Sequence, residues 1–220
     1  MNFSYYIFSS NDIKATIQNQ SIHILLLIVL AIAVYITIFH LLQKDMMQKQ
    51  LKRDKIHFEQ MAFKDSLTGV GNRNGYEELA KVVETMEDKQ KICVGAFDIN
   101  DLKKVNDTMG HDMGDKYICD CCQIICRAHK SSAVFRMGGD EFVVVSKYSS
   151  DTYINDSINS IMALTNEYNN RNSPYKISIA YGYERFHIEK YPTLNDVKNE
   201  ADRLMYENKK IMKNKKAQSI

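Results

Sequence analysis

Residues 133–146 have the sequence AVFRMGGDEFVVVS, in which two apolar runs flank a pair of glycines. We predict two short apolar strands, at residues 133–135 and 142–146, joined by the tetrapeptide MGGD. Gly138 and Gly139 supply the positive φ angles that a tight hairpin turn requires. The stretch therefore predicts a β-hairpin whose turn carries an aspartate and a glutamate.

The segments around the hairpin change irregularly between helical and extended patterns. We predict further strands at residues 92–99 and 176–180, and helices at residues 74–87, 112–128, 151–169 and 194–210. The chain contains no phosphate-loop sequence of the GxxxxGKS/T type. Because strands and helices mix without a regular βα alternation, we expect an α+β fold rather than a doubly wound one.

The composition of the 220-residue chain is that of a globular protein, with 45% hydrophobic and 25% charged residues. It excludes a disordered or collagen-like chain. The formal net charge of +2 argues against a dedicated nucleic-acid-binding protein, which normally carries a basic excess. Five cysteines are too few, and odd in number, for a disulfide scaffold. We expect one domain of ordinary size with accessory segments.

Residues 22–42, IHILLLIVLAIAVYITIFHLL, contain no formally charged residue. As a helix, this stretch would rise roughly 30 Å, which is enough to cross the hydrocarbon core of a membrane. The residues before it are not basic, and it does not end in small residues, so we predict an uncleaved transmembrane helix rather than a signal peptide. A buried core helix is the other alternative, but such helices are usually shorter or amphipathic.

Basic residues follow the apolar stretch and predict its orientation: Lys44, Lys49, Lys52, Arg53 and Lys55. Residues 1–21, which precede it, carry one lysine and one aspartate. The positive-inside rule then predicts a short extracytoplasmic tail at residues 1–21 and a cytoplasmic C-terminal part. We therefore expect a single-pass protein of the cell membrane.

Residues 43–63 lack proline and glycine and are rich in helix formers. Met47, Leu51, Phe58 and Met61 recur with alternating spacings of four and three residues, interrupted once by an aspartate. This spacing predicts a helical stalk that can pair with a second copy of itself. The alternative, a solvated helix that packs on its own domain, stays open.

Three acidic residues lie at the ends of predicted strands: Asp98 after an apolar strand, and Asp140 and Glu141 at the hairpin turn. Carboxylates that converge from two adjacent strand ends suit Mg²⁺, which prefers oxygen ligands and substrate phosphates. Two such ions about 4 Å apart stabilise the attacking and leaving oxygens of a phosphoryl displacement. Each acidic residue by itself is better explained as an ordinary solvated turn residue.

Five motifs in residues 64–220 together resemble those of the GGDEF family, the diguanylate cyclases. In chain order they are DSLTGVGNR at 65–73, FDINDLKKVND at 97–107, GHDMGD at 110–115, FRMGGDEF at 135–142 and ADRLMY at 201–206. The resemblance implies a GGDEF domain over residues 64–220, of the nucleotide-cyclase or palm-like type. Its central, mostly antiparallel sheet would be flanked by helices and preceded by the transmembrane helix and the stalk.

The resemblance also implies the roles of the acidic residues. Metal ions, Mg²⁺ or alternatively Mn²⁺, would be held by Asp98, the backbone carbonyl of Ile99, Asp140 and Glu141. Glu141 would in addition assist deprotonation of the 3′-hydroxyl that attacks an α-phosphate.

A further set of residues would bind GTP if the resemblance holds. Guanine would be recognised by Asn106 and Asp115, and His111 would contact the nucleoside. Gly138 and Gly139 would leave room for the nucleotide. The β- and γ-phosphates would be held by the backbone amides of Asp101 and Leu102 and by Lys103, Lys209 and Lys213.

In this family each domain binds one GTP, and two domains face each other to make cyclic di-GMP with release of two pyrophosphates. A single half-site cannot complete the reaction, because the nucleophile and the electrophile come from different subunits. The resemblance therefore implies a homodimer that forms through the stalk and the catalytic domains, with no nucleic-acid partner.

The sequence departs from the family pattern in several places. Lys213 replaces the usual arginine, Met212 the usual glycine before it, and Ala180 a common glycine. Residues 129–132, HKSS, stand where the family has its inhibitory product site RxxD. These changes leave a catalytically silent GTP-binding or partner-docking module as the alternative to an active cyclase. Asp115 argues against a third alternative, a cyclase with an adenine-containing product, because adenine offers an acceptor at N1 where guanine offers a donor.

One predicted helix is rich in cysteine. Cys122, Cys126 and His129 share a face at positions i, i+4 and i+7, which is compatible with a soft-metal or redox site. We expect these cysteines instead to be small hydrophobic residues of a reduced core, because free cysteine is among the most buried residue types.

Overall fold

The structure is a computed structural model that describes residues 10–218. The chain divides after His57 into two units. Nearly all of the first unit's described part belongs to one long helix, α1, which extends from Ser10 to Phe63 and so continues into the start of the second unit. The second unit holds all the strands and the remaining helices.

Helix α1 is continuous from Ser10 to Phe63, so no break separates the predicted transmembrane segment 22–42 from the predicted stalk 43–63. The predicted tail 1–21 is helical from Ser10 onward, and its earlier part lies outside the described residues. The helix is long and apolar enough to cross a membrane, by length and composition only. Every residue from 13 to 56 is exposed, including the apolar ones.

A four-stranded sheet forms the centre of the second unit. Its strands are β1 (Cys93–Ile99), β2 (Ala133–Gly138), β3 (Glu141–Ser146) and β4 (Ile179–Arg185). They lie in the order β2-β3-β1-β4, and each neighbouring pair is antiparallel. The predicted α+β class with a central antiparallel sheet is confirmed.

Five α-helices accompany the sheet in the described part of the second unit: α2 (Arg73–Glu84), α3 (Leu102–Met109), α4 (His111–Ala128), α5 (Asp151–Asn169) and α6 (Leu194–Gln218). A short 3-10 turn, Lys89–Lys91, precedes β1. The hairpin of β2 and β3 and the helix over 151–169 are as predicted from the sequence.

Strand β1 is buried on both faces, so its side chains divide the core in two. Val94 and Ala96 belong to a hydrophobic cluster with residues of α2 and α6. Phe97 and Ile99 belong to a second cluster with residues of α3, α4 and α5. Because side chains alternate along a strand, Asp98 lies on the same face as Val94 and Ala96, which is the face that α6 covers.

Three elements of the structure differ most from the prediction. The strand predicted at 176–180 is wrong, because β4 extends from Ile179 to Arg185. Strand β1 ends at Ile99, which lies opposite Ile179, so residues 176–178 have no residue of β1 to pair with. Helix α3 was not predicted, since its sequence LKKVNDTM is short and contains several weak helix formers. Helix α6 continues to Gln218, beyond the predicted end at residue 210.

Helix α6 packs closely on β4 at Gly182. A Cβ atom at this position would lie 2.2 Å from the Met205 backbone nitrogen and 2.4 Å from the Ala201 carbonyl oxygen. The missing side chain therefore allows the helix backbone to lie directly against the strand. This close contact fixes the course of α6 toward the end of β1 that carries Asp98.

Candidate active site

Three acidic residues meet at one end of the sheet, and we call them the acidic corner: Asp98, Asp140 and Glu141. Asp98 and Glu141 are directly opposite each other on β1 and β3, so both side chains lie on the α6 face. The Ile99 amide donates a hydrogen bond of 3.0 Å to the Asp140 carbonyl, which joins the hairpin turn to the end of β1. Asp98 is buried, whereas Glu141 is exposed.

The Asp98 carboxylate is paired with Lys209 of α6, whose Nζ donates to Oδ1 at 2.6 Å. Burial raises the pKa of Asp98 above its usual value, and the hydrogen bond and charge of Lys209 oppose this rise. The negative charge of Asp140 raises the pKa of Asp98 further, and the charge of Lys213 lowers it. Asp98 thus lies within electrostatic reach of three charged residues that the sequence assigned to the same site.

A cavity of about 220 Å³ adjoins the acidic corner, and we call it the strand-end cavity. The predicted site residues that line it are Ile99, Asp101, Leu102, Lys103, Asp140, Lys209 and Lys213. Asn100, Ser178 and Met212 line it as well. Two larger surface cavities, of about 740 and 540 Å³, contain none of the predicted site residues.

Asn100 and Ser178 were not predicted as site residues, although they are hydrogen-bonded at the base of the strand-end cavity. The Asn100 amide nitrogen donates to the Ser178 carbonyl at 2.9 Å, and its side-chain Nδ2 donates to Ser178 Oγ at 3.1 Å. Tyr117 Oη donates to the Asn100 carbonyl at 2.9 Å. The only sequence signal for Ser178 was its position at the start of the family's SxG strand, which is SIA here.

The oxygen atoms at this end of the sheet fit a divalent cation. Asn100 Oδ1 is buried and has no hydrogen-bond partner among residues 10–218. A buried oxygen of this kind still needs a partner, which can be a hydrogen-bond donor or a cation. Within those residues no group of three or more His, Cys, Asp or Glu side chains is arranged to hold a metal ion. Mg²⁺ in nucleotide sites normally takes one or two carboxylates and completes its shell with phosphates and water. Asp98 and Asp140 would supply two such carboxylates.

The turn between β1 and α3 places backbone amides at the strand-end cavity. Asp101 has φ 63° and is the one non-glycine residue with a positive φ in the described part of the chain. It directly precedes Leu102, the first residue of α3. The N-terminus of a helix favours anions, because its first amides point outward and the helix dipole is positive there. The predicted phosphate contacts at Asp101, Leu102 and Lys103 are therefore grouped at one helix start.

Two arginines hold the hairpin turn in place. Arg136 donates to the Gly139 carbonyl at 3.1 and 2.8 Å and to the Asp65 carboxylate at 3.2 and 3.3 Å. Arg73 donates to the Met137 carbonyl at 3.2 and 3.0 Å. Gly139 has φ 47°, as the predicted turn requires. The turn that carries Asp140 is thus tied to the DSLTGVGNR segment.

The charge of Asp65 depends on these contacts. Burial raises the pKa of Asp65, but hydrogen bonds from Thr68 and from Arg136 outweigh it and hold the pKa below its usual value. Thr68 donates to Asp65 Oδ1 through its backbone amide at 2.9 Å and through its hydroxyl at 2.6 Å. Asp65 is therefore ionised in the folded protein.

The residues predicted to recognise guanine lie apart from the strand-end cavity, at the junction of α3 and α4. Asn106 is half-buried against Gly114, whereas Asp115 and His111 are exposed in the first turns of α4. We call Asn106, Gly114 and Asp115 the α3–α4 corner. The exposed Gly138 and Gly139 do not line the strand-end cavity either.

The cysteine-rich face of α4 is largely core. Cys121 and Cys122 are buried in the second hydrophobic cluster, and burial raises the pKa of Cys121. His129 Nδ1 lies 2.7 Å from the Ile125 carbonyl and Nε2 lies 2.8 Å from Tyr183 Oη, so both ring nitrogens are engaged away from the thiols. The predicted packing role is confirmed for Cys121 and Cys122.

The fold and the site together define an α+β nucleotide-binding domain: an antiparallel sheet with an acidic hairpin turn, a helix N-terminus and lysines around one cavity. The family profile described as "Diguanylate cyclase, GGDEF domain" matches residues 62–215. The chain belongs to the GGDEF family.

Curated relatives resemble part of the chain. Diguanylate cyclase DgcS of Shewanella oneidensis is 37% identical over 84 residues, which are 37% of this chain and 28% of DgcS. Diguanylate cyclase DgcP of Escherichia coli is 31% identical over 108 residues, 48% of this chain and 32% of DgcP. Cyclic di-GMP phosphodiesterase PdeR of Escherichia coli is 36% identical over 94 residues, 42% of this chain and 14% of PdeR. The matched regions thus span about a third or less of these relatives.

Solved structures share the fold. The coiled coil and GGDEF domain of DgcB from Caulobacter crescentus, solved with c-di-GMP, superposes with a TM-score of 0.67 at 21% identity, covering 78% of this chain and 93% of that one. The GGDEF domain of TpbB (YfiN) from Pseudomonas aeruginosa superposes with a TM-score of 0.58 at 25% identity, covering 67% of this chain and 88% of that one.

Proposed function

We propose that the chain is a membrane-anchored diguanylate cyclase, which condenses two GTP molecules into cyclic di-GMP and releases two pyrophosphates. The observation that carries the proposal is the strand-end cavity, where a helix N-terminus and lysines adjoin the acidic corner. Such a cavity combines anion-binding groups with the oxygen ligands that nucleotide-bound Mg²⁺ prefers.

The triphosphate of GTP would occupy the strand-end cavity. The backbone amides of Asp101 and Leu102 and the side chains of Lys103 and Lys213 would hold the β- and γ-phosphates. Lys209 would exchange its contact with Asp98 for a phosphate oxygen when nucleotide and metal enter together. At position 213 a lysine acts as a point charge. The family's usual arginine could instead donate two parallel hydrogen bonds to a phosphate group.

Mg²⁺, or alternatively Mn²⁺, would be held by Asp98, the Ile99 carbonyl, Asp140 and Glu141. The metal would neutralise the negative charge that builds up on the phosphate oxygens during the displacement at the α-phosphate. The buried Asp98 carboxylate needs a positive partner in any state, because an uncompensated charge away from water is costly. Lys209 provides that partner when the metal is absent.

The reaction joins the two nucleotides in two equivalent steps. The 3′-oxygen of one GTP forms a bond to the α-phosphorus of the other, and the bond from that phosphorus to the β-bridging oxygen breaks, so pyrophosphate leaves with the electron pair. Glu141 accepts the proton of the 3′-hydroxyl. Catalysis would otherwise consist of positioning and charge neutralisation.

Recognition of guanine would fall to the α3–α4 corner. The Asp115 carboxylate would accept hydrogen bonds from guanine N1–H and N2–H₂, and the Asn106 amide would meet N3 or the exocyclic amine. His111 would contact the nucleoside. Asp115 and His111 are both exposed, as direct base contacts require.

A homodimer would bring the two half-sites together. Met47, Leu51, Phe58 and Met61 are exposed apolar side chains on α1, with 69 to 74% of their surfaces accessible. Burying such residues against a second copy of the helix would remove apolar surface from water. Residues 22–42 would hold both copies in the cell membrane with the catalytic domains in the cytoplasm.

The proposal is tested by incubating the purified full chain in detergent with GTP and Mg²⁺ and measuring cyclic di-GMP by mass spectrometry. Glu141→Gln should abolish the product while the thermal unfolding midpoint stays unchanged. Glu77→Gln, at an exposed position of α2, is the matched control and should retain full activity. Unchanged product formation by Glu141→Gln would remove the catalytic assignment.

The second candidate is a catalytically silent GTP-binding or partner-docking module. Met212, which stands where the family usually has glycine, lines the strand-end cavity and also packs against the first hydrophobic cluster. Its side chain takes up space beside Lys213. GTP binding by the wild-type chain without any cyclic di-GMP would favour this candidate, and Met212→Gly would then be the variant to examine for recovered activity.

A further inference from the structure

We infer that Gly114 determines base specificity, because only a residue without a side chain at this position leaves room for the Asn106 amide. The inference rests on the proposed function, which assigns Asn106 to guanine recognition. It adds a positioning residue that would not itself touch the nucleotide.

The contact between the two residues is unusually close. Gly114 is buried in the first turns of α4, and a Cβ atom there would lie 1.8 Å from Asn106 Oδ1, 2.8 Å from Cγ and 3.4 Å from Nδ2. Non-bonded carbon atoms prefer separations of about 3.5–4.0 Å, so the side chain of Asn106 would have to move. All three nearest atoms belong to that one side chain. An added methyl group therefore displaces the Asn106 amide and meets no backbone atom at comparable range.

Packing against Gly114 is also what orients Asn106. The Asn106 side-chain amide makes no hydrogen bond with any other residue in the described part of the chain, and its position is set by the contact of α3 with α4. A base that enters this corner would find the amide unpaired and available. Asp115 directly follows Gly114 on α4, so both base-recognising side chains depend on the same short segment.

The substitution Gly114→Ala separates this role from folding. Gly114 lies inside α4 and is not among the described glycines with positive φ. Alanine is a better helix former than glycine, so the helix itself does not oppose the change. The conflict lies with the end of a flexible side chain that can rotate away.

The experiment measures GDP and IDP binding to the full chain in detergent with Mg²⁺, by isothermal titration calorimetry. The two nucleotides differ only in the exocyclic amine of guanine, and neither contains the triphosphate that pyrophosphate release requires. The variants are Gly114→Ala, Asn106→Ala and the double variant. Gln123→Ala, on an exposed position of α4, is the control.

Wild type and the control should prefer GDP over IDP by about five- to tenfold, the range expected for one hydrogen bond. Gly114→Ala and Asn106→Ala should each reduce this preference by the same factor, while the part that Asp115 provides through N2–H₂ remains. The double variant should bind both nucleotides as Asn106→Ala does, because the added methyl group then has nothing to displace. Thermal unfolding should show the double variant at least as stable as Asn106→Ala.

Retention of the wild-type preference by Gly114→Ala would overturn the inference and leave the proposed function intact. The inference would also be overturned if the double variant bound the nucleotides more weakly, or were less stable, than Asn106→Ala. Gly114 would then act on something other than Asn106. An unchanged preference in Asn106→Ala would show that Asn106 does not contact the exocyclic amine, and would overturn the inference. Absence of binding to either nucleotide would remove the proposed function as well.

Discussion

The acidic corner and the α3–α4 corner are held by different kinds of interaction. Asp98 in the acidic corner is buried and already paired with Lys209 at 2.6 Å. Asn106 in the α3–α4 corner has no side-chain partner among the described residues and is placed by the missing side chain of Gly114. Under the proposed function, the first region would have to exchange an existing ion pair in order to bind nucleotide and metal, whereas the second would offer groups that steric packing has oriented. Substitutions should therefore affect charge and turnover in the first region, and discrimination between bases in the second.

The largest effect is expected for Asp98→Asn. It removes a carboxylate that is proposed to bind the metal and leaves Lys209 without its partner, so cyclic di-GMP formation should fall by about a thousandfold or more, the scale of losing a principal electrostatic group at a reaction centre. The GDP-to-IDP preference should stay near the wild-type value, because the α3–α4 corner is untouched. Asp156→Asn, on an exposed position of α5, is the control. Parallel loss of turnover and base preference would show that the two regions are not separable.

Lys209→Met should produce the next largest effect. Without its partner the Asp98 carboxylate is uncompensated, and the variant should lose about 1–3 kcal/mol of stability in metal-free buffer at neutral pH. Mg²⁺ should raise the thermal unfolding midpoint of the variant more than that of wild type, since no lysine competes with the ion. GTP binding should weaken, because a phosphate contact is lost. Lys210→Met, the neighbouring exposed lysine of α6, should behave as wild type in both measurements. An identical Mg²⁺ response in Lys209→Met and wild type would contradict the exchange of partners.

Arg136→Gln should reduce cyclic di-GMP formation by about tenfold. The substitution removes the hydrogen bonds to the Gly139 carbonyl and the ion pair with Asp65, and so loosens the turn that carries Asp140. A charge-assisted hydrogen bond contributes about 1.5–3 kcal/mol, which accounts for an effect of this size. Steady-state product formation is the measurement, with Arg127→Gln at an exposed position as control. Full activity of Arg136→Gln would show that the turn keeps its conformation without this anchor.

Asp65→Asn should have the smallest effect, and this effect should be seen in how the free energy of unfolding depends on pH. The pKa of Asp65 lies below its usual value in the folded state, so its ionised form stabilises the fold above the pKa of the unfolded chain, and this contribution is lost as the pH falls through the lower, folded value. Wild type should lose stability more steeply than Asp65→Asn as the pH falls below about 4, the usual pKa of an aspartate in an unfolded chain. Asp88→Asn, which removes an exposed surface pair with Lys91, should leave the slope unchanged. If the free energies of unfolding of wild type and Asp65→Asn changed equally with pH, ionised Asp65 would not stabilise the fold as assigned.

Much of the fold followed from local patterns in the sequence, while the contacts of the site did not. The hairpin is marked by two apolar runs around a glycine pair, and the helix over 151–169 has clear ends, and the structure has both elements there. Helix α3 was missed because LKKVNDTM is short and its asparagine, aspartate and threonine are weak helix formers. The strand at 176–180 was misplaced because the end of a strand is set by where its partner ends, which the strand's own sequence does not contain.

The motifs predicted a set of site residues but not how these residues pair. The contact between Lys209 and Asp98 spans 111 positions of sequence and depends on how closely α6 packs on β4 at Gly182. The positions of Asn100 and Ser178 depend in the same way on the register of β4 against β1. Such contacts follow from tertiary packing, so motif spacing alone could not provide them.

The most direct measurement is a crystal structure of the full chain with Mg²⁺ and a GTP analogue whose α,β-bridge cannot be cleaved. We expect the triphosphate in the strand-end cavity, an ion bound to Asp98 and the Ile99 carbonyl, and Lys209 moved from Asp98 to a phosphate oxygen. A nucleotide bound elsewhere on the domain, with the ion pair of Asp98 and Lys209 still closed, would contradict the account.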